Sequence, residues 1–148
     1  MSVSQQILGP GSSPTFAGLT LTGTDTATHH ETSTSTTPTL TINPSSSNGA
    51  GSGATGSISG RDQVISVSLT TGTTPSAGQQ ILAVTFGQAF TNTPAVVPIP
   101  TNANAVNPGS IAKLPYLSAV STTGFTLSAG ATGLTASTTY TWTFAVVG

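Results

Sequence analysis

The chain has 148 residues, of which only 3% are charged, and its formal net charge is -1. Binding to nucleic acid or to an anionic membrane surface needs several Lys or Arg side chains, so this composition argues against both partners. There is no cysteine, which excludes disulfides and thiolate metal sites. No apolar run reaches the length of a membrane span, and the start, MSVSQQILG, lacks the features of a signal peptide. We therefore expect synthesis in a cytoplasm.

Residues 1–43 are rich in Thr and Ser and predict an extended arm. Threonine occupies every second position from Thr20 to Thr28, and few apolar residues accompany it. Ordering one backbone residue costs about 1–2 kcal/mol, which such a strand cannot recover alone. We therefore expect other chains to supply the missing partners, by strand addition to an edge or by three-chain winding. The predicted assembly arm comprises Phe16, Leu19, Thr20, Leu21, Thr22 and Thr24.

The arm also contains His29, His30 and Glu31, which form the only cluster of metal-binding side chains in the sequence. On a strand, His29 and Glu31 share one face and His30 points to the other. One chain thus offers at most two ligands on a face, fewer than a closed zinc site needs. A solvated polar stretch is the expected reading, and an ion held on a threefold axis by His29 or His30 stays an open alternative.

Residues 44–60, PSSSNGAGSGATGSISG, consist almost entirely of small residues. This composition is typical of flexible connectors, so we predict a Gly/Ser-rich linker between the arm and a compact domain.

Residues 61–148 contain strand patterns separated by turn residues and show no helical periodicity. The alternation predicts strands over 64–69, 80–86, 95–100, 117–120, 124–128 and 140–146. Prolines at 94, 98 and 100 place the third of these at a sheet edge. The last strand aligns Tyr140, Trp142, Phe144 and Val146 on one face, which predicts a core stripe. The fold class is therefore all-β: an extended arm followed by a small antiparallel β-sandwich, jelly-roll-like. The aromatic stripe and the edge-prone strands favour oligomerisation, which would complete the core and cover the edges.

The sequence contains little that supports catalysis. The serines lie in low-complexity sequence without a Gly-x-Ser-x-Gly elbow, and no phosphate-binding loop is present. Two of the three carboxylates, Asp25 and Glu31, lie in the arm, and Asp62 follows Arg61, its natural ion-pair partner. We expect neither an enzyme nor a bound cofactor.

Carbohydrate binding is a separate hypothesis, because aromatic rings can stack on sugars. Trp142 and Tyr140 belong to the predicted core stripe, and we expect core for Trp142 in preference to a binding platform. Tyr116 follows Pro115 in a loop-like stretch, so it is the better candidate for a glycan contact.

Residues 12–23, SSPTFAGLTLTG, resemble the short connecting repeats of bacteriophage fibre proteins. The region 64–148 is similar to a β-sandwich module found near the C-termini of such fibres, through ILAVTFGQAF (81–90), TPAVV (93–97), TGFTL (123–127) and YTWTF (140–144). The resemblance implies a trimeric β-rich protein on the outside of a phage particle and no chemistry. A tail fibre normally has a long shaft and an attachment domain, so from 148 residues we expect instead a short arm with one β-domain, as in a capsid decoration or short head-fibre protein.

Three functions follow. The leading expectation is a homotrimeric capsid decoration (cement) or short head-fibre protein at the virion surface, which contacts the major capsid protein or another virion protein and stabilises the particle. The alternative is a tail-fibre tip adhesin that binds a host-surface glycan. The third is a Thr-rich ice-binding protein, suggested by the threonine alternation, although no fixed repeat follows it.

Overall fold

The computed structural model of the protein describes residues 37–148. They form eight antiparallel strands in two four-stranded sheets. The first sheet has the order β1-β4-β7-β6 and the second the order β2-β3-β8-β5. The strands are β1 (Thr39–Ile42), β2 (Thr55–Arg61), β3 (Val64–Thr70), β4 (Gln80–Thr85), β5 (Ala95–Pro100), β6 (Tyr116–Ser121), β7 (Gly124–Ser128) and β8 (Thr139–Val147). A four-residue helix, α1 (Ala103–Val106), and 3-10 turns at Pro44–Ser46 and Ile111–Lys113 lie in the connections. This architecture confirms the predicted all-β fold of two antiparallel sheets.

The core lies between the two sheets, where alternate side chains of each strand meet. Phe125 of the first sheet contacts Phe144 of the second, with ring centroids 4.7 Å apart. The stripe predicted on β8 is buried, because each of its four side chains is at most 4% exposed. The hydroxyl of Tyr140 accepts a hydrogen bond from the Thr135 N–H at 3.1 Å, so its polar end is paired inside the domain. Alternation on the central strands therefore places the hydrophobic face inward.

Residues 39–42, predicted as part of the arm, form β1 and pair with β4 in the first sheet. Residues 55–60, predicted as part of the linker, belong to β2 and pair with β3. The sandwich thus begins at Thr39 in place of residue 61. Residues 1–36 of the predicted arm lie outside the described residues.

The connection between β1 and β2 is held closely against the domain. Asn43 donates from its side chain to the Gly51 carbonyl and accepts from the Ala50 N–H. Ser52 and Thr73 exchange backbone hydrogen bonds at 2.9 Å. A Cβ on Gly49 or Gly72 would overlap backbone carbonyls, of Gln80 and Ser52 respectively. Glycine is therefore needed here for close approach of two backbones, which is a different role from flexibility.

Asp62 lies in the two-residue turn between β2 and β3 and is buried. Its carboxylate accepts hydrogen bonds from the backbone N–H groups of Gly87 at 2.8 Å and Gln88 at 2.9 Å. The side chain therefore joins the β2–β3 turn of the second sheet to the loop that follows β4 of the first sheet.

Candidate assembly surface

The outer face of the second sheet is covered by hydroxyl side chains. The strand register aligns Thr55, Thr70 and Thr139 in one row across β2, β3 and β8. The next two rows are Ser57–Ser68–Thr141 and Ser59–Ser66–Thr143. We call these nine residues the hydroxyl face. They come from sequence positions up to 88 apart (143 − 55), and the register alone brings them together.

Several of these hydroxyls bond across strands. The hydroxyls of Thr70 and Thr139 are 2.9 Å apart, and those of Ser66 and Thr143 are 3.4 Å apart. Thr101, just after β5, extends the second row, because its hydroxyl donates to that of Thr141 at 2.9 Å. Cross-strand hydroxyl pairs stabilise a sheet modestly, and here they form an ordered surface without charged groups.

The other end of the same outer face is apolar. The row Val64–Ala145–Val97 crosses three strands and is bordered on β2 by Arg61, and Ala95 pairs with Val147 beside it. Val64, Val97 and Val147 are 56%, 51% and 69% exposed. With Ile99 they form a contiguous surface that we call the apolar patch: Val64, Ala95, Val97, Ile99, Ala145 and Val147. Contiguous exposed apolar surface marks sites of protein contact more often than scattered single residues do.

Sequence reasoning predicted the strands that carry this patch but not the patch itself. The available signal was the break in alternation, since Ala95-Val96-Val97 and Val146-Val147 are consecutive apolar residues. On a strand, consecutive apolar residues must place one of them outward.

The two edges of the second sheet differ. The Thr101 N–H donates to the Thr141 carbonyl, so odd-numbered residues of β5 bond to β8 and even-numbered residues face the free edge. Pro98 and Pro100 are even-numbered and lack an N–H. The β5 edge therefore offers a new strand only the N–H of Val96 within β5, which is a known way to block strand addition. The prediction that this strand lies at an edge agrees with its place in the sheet order.

The aromatic candidates separate clearly. Trp142 is 4% exposed and stacks on Tyr140 inside the sandwich, at 5.9 Å between ring centroids. Tyr116 begins β6, the edge strand of the first sheet, and is 51% exposed. Leu114 and Ile111, 41% and 86% exposed, precede it in the same connection. The ring of Tyr116 is thus accessible to a ligand, whereas the ring of Trp142 is buried.

No group of three His, Cys, Asp or Glu residues gathers within residues 37–148. His29, His30 and the arm residues Phe16 to Thr24 lie outside the described part of the chain. The Asp62 carboxylate, predicted to pair with Arg61, accepts the two backbone hydrogen bonds described above. Lys113 donates to the Thr135 hydroxyl at 3.0 Å. None of the helices in the described range is long and apolar enough to cross a membrane.

Comparisons with protein-family models, with curated proteins and with solved structures find no match for this chain.

Proposed function

We propose that the protein is a structural component of a bacteriophage virion surface, a self-associating capsid decoration or short head-fibre protein that stabilises the particle. The observation that carries the proposal is the apolar patch on the second sheet. Val64, Val97 and Val147 are more than half exposed there, on a rigid sheet face with a hydroxyl face beside it. Burying such side chains against a neighbouring subunit returns free energy that an isolated domain forgoes.

Charge supports the same proposal. In residues 37–148 the charged side chains are Arg61, Asp62 and Lys113, and the Asp62 carboxylate is buried. Many copies can therefore crowd on a particle without strong mutual repulsion. The resemblance of residues 12–23 and 64–148 to phage fibre segments supports the virion location and the trimeric state.

Three measurements test this function. Light scattering of the full chain gives the mass in solution, where we expect three copies. A density map of purified virions then gives the location, where we expect the protein on the capsid. Particles lacking the protein should lose resistance to heat and osmotic shock. Particles that keep full resistance would count against a cement role.

A second candidate is glycan binding at a fibre tip, favoured by the exposed ring of Tyr116. A glycan array with the wild type and with Tyr116→Ala tests it. Val106→Ala, at another exposed apolar position, is the matched control. Loss of glycan binding with Tyr116→Ala but not with Val106→Ala supports the adhesin hypothesis. A trimer that binds no glycan on the array contradicts it.

A further inference from the structure

β2 forms the other edge of the second sheet, opposite β5, and no proline blocks strand addition there. Val146 donates to the Gln63 carbonyl and Thr71 to the Thr138 carbonyl, so odd-numbered residues in and around β3 bond to β8. The even-numbered residues of β3 therefore bond to β2, through its odd-numbered residues 55, 57, 59 and 61. The backbone groups of Gly56 and Ile58 consequently point away from β3, whereas Gly60, with φ 99°, departs from strand geometry at the end of this edge. In the part of the chain that the structure describes, β2 has a strand neighbour on one side only.

This edge has few of the features that prevent strand addition. β2 is seven residues long, pairs with β3 without a bulge, contains no proline and carries a charge only at Arg61. Long, uncharged, regular edges are templates for a further strand. Two edges of one sheet with opposite protection indicate that addition is prevented at β5 and permitted at β2.

The core beside β2 is also incompletely covered. Leu40, Ile42 and Ile58 point inward but are only half-buried, whereas inward residues of the central strands, such as Ile65 and Leu82, are fully buried. A Cβ on Gly56 would lie 3.0 Å from Ile42 Cδ1 and 3.1 Å from Leu40 Cδ2, so these side chains reach the β2 backbone. An added strand with alternate apolar residues would cover this side of the sandwich.

We propose that the β2 edge accepts residues 18–24 of a neighbouring copy as a fifth strand. This inference rests on the self-association proposed above. Leu19 and Leu21 share one strand face and would cover Leu40, Ile42 and Ile58. Thr20, Thr22 and Thr24 share the other and would continue the hydroxyl face beyond Ser57 and Ser59.

The length of chain before the sandwich favours a neighbouring copy over the same one. The 14 residues between Thr24 and Thr39 span up to about 50 Å when extended, well beyond a four-stranded sheet. If residues 18–24 returned to β2 of the same sandwich, these 14 residues would form a loop within one domain. Loops of that length without secondary structure are uncommon in compact domains. In a ring of three copies, each copy would give its segment to the next one. Every β2 edge would then be paired, and the assembly would be closed.

The absence of cysteine makes a direct test possible in the full chain. Thr22→Cys is placed on one chain, and Ser57→Cys or Ser59→Cys on a second, tagged chain, so that two registers are covered. Outward residues on this edge occupy non-hydrogen-bonded positions, where paired Cα atoms lie about 4.5 Å apart, within disulfide reach. The matched control is Thr101→Cys, an exposed hydroxyl at the opposite edge in the same row as Ser57. Ser57, Ser59 and Thr101 are exposed, and thermal unfolding checks that each variant folds.

We expect an interchain disulfide with Ser57→Cys or Ser59→Cys that is lost with Thr101→Cys. A further sample carries both cysteines on one chain, and a disulfide that forms only within that chain overturns exchange between copies. Equal crosslinking to Thr101→Cys overturns the choice of edge. Light scattering separates the two proposals. A trimer without crosslinks to β2 contradicts only the proposal that β2 is the acceptor edge. A monomer without crosslinks contradicts self-association as well.

Discussion

The side-chain oxygen of Asn43 accepts a hydrogen bond from the Ala50 N–H at 2.8 Å, and its side-chain nitrogen donates to the Gly51 carbonyl at 2.9 Å. One side chain thus joins the first residue of the β1–β2 connection to residues 50 and 51. Asn43 also has a left-handed backbone, with φ 48°, which asparagine tolerates better than most residues. Ala50, held by this clamp, is fully buried.

Replacing Asn43 should loosen this turn. Asn43→Ala loses both hydrogen bonds and places an ordinary residue in the left-handed region, so we expect a loss of about 2–3 kcal/mol in the free energy of unfolding. Asn43→Gly relieves the backbone but not the lost bonds and should cost less. Urea unfolding measures both variants. Equal stability of wild type and Asn43→Ala would show that the clamp contributes nothing.

A second prediction concerns two glycines in the segment 44–60, which composition predicted to be a linker. A Cβ on Gly49 would overlap the carbonyl of Gln80, so Gly49→Ala should cost about 3 kcal/mol, the upper range for overpacking. Gly53 has open space around it but φ +75°, so Gly53→Ala should cost only about 1–2 kcal/mol. Thermal unfolding of the two variants gives the order. The reverse order would indicate a loosely held connection.

The buried Asp62 carboxylate should contribute to stability through its two backbone partners. Asp62→Asn keeps the shape but replaces one acceptor with an N–H donor facing Gly87 or Gln88, so we expect a loss of about 1–3 kcal/mol. Gln88→Ala is the control, because it removes an exposed side chain and leaves the backbone N–H in place. Chemical denaturation at neutral pH measures the free energy of unfolding of both variants. A similar loss of stability in both would argue against a contribution from the Asp62 hydrogen bonds.

The β8 stripe allows a comparison of inward and outward residues on a single strand. Phe144 is fully buried and contacts Phe125, so Phe144→Ala should destabilise the domain by about 3–5 kcal/mol. Val147, on the opposite face and 69% exposed, should tolerate Val147→Ala with little change in unfolding. Calorimetry measures both melting temperatures. A small effect of Phe144→Ala would place the core elsewhere.

The apolar patch should affect association more than folding. Val97→Ser removes apolar surface that self-association would bury, so we expect weaker association by about tenfold, the equivalent of about 1.4 kcal/mol. Val106→Ser, at a 61% exposed position outside the patch, should leave the mass unchanged. Sedimentation over a concentration series measures both. If Val97→Ser and wild type associate identically, the patch is not the interface.

Much of this fold follows from local patterns. The alternation from Tyr140 to Val146 has one solution for a strand between two layers, since its aromatic face must turn inward. The prolines at 98 and 100 restrict their strand to an edge because they cannot donate to a neighbour on both sides. For the candidate surface, the strands that carry it could be predicted, but the patch and the hydroxyl face depend on which strands become neighbours.

The fold class, the inward stripe of β8 and the edge position of β5 follow from the sequence, because each depends on residues a few positions apart. The role of residues 44–60 depends instead on contacts between distant parts of the chain. Glycine permits both a flexible chain and the close approach of two backbones, and composition cannot distinguish these uses. The backbones at Gly49 and Gly72 meet Gln80 and Ser52, which are 31 and 20 positions away (80 − 49 and 72 − 52). That contact, absent from any local pattern, makes the connection a packed part of the domain.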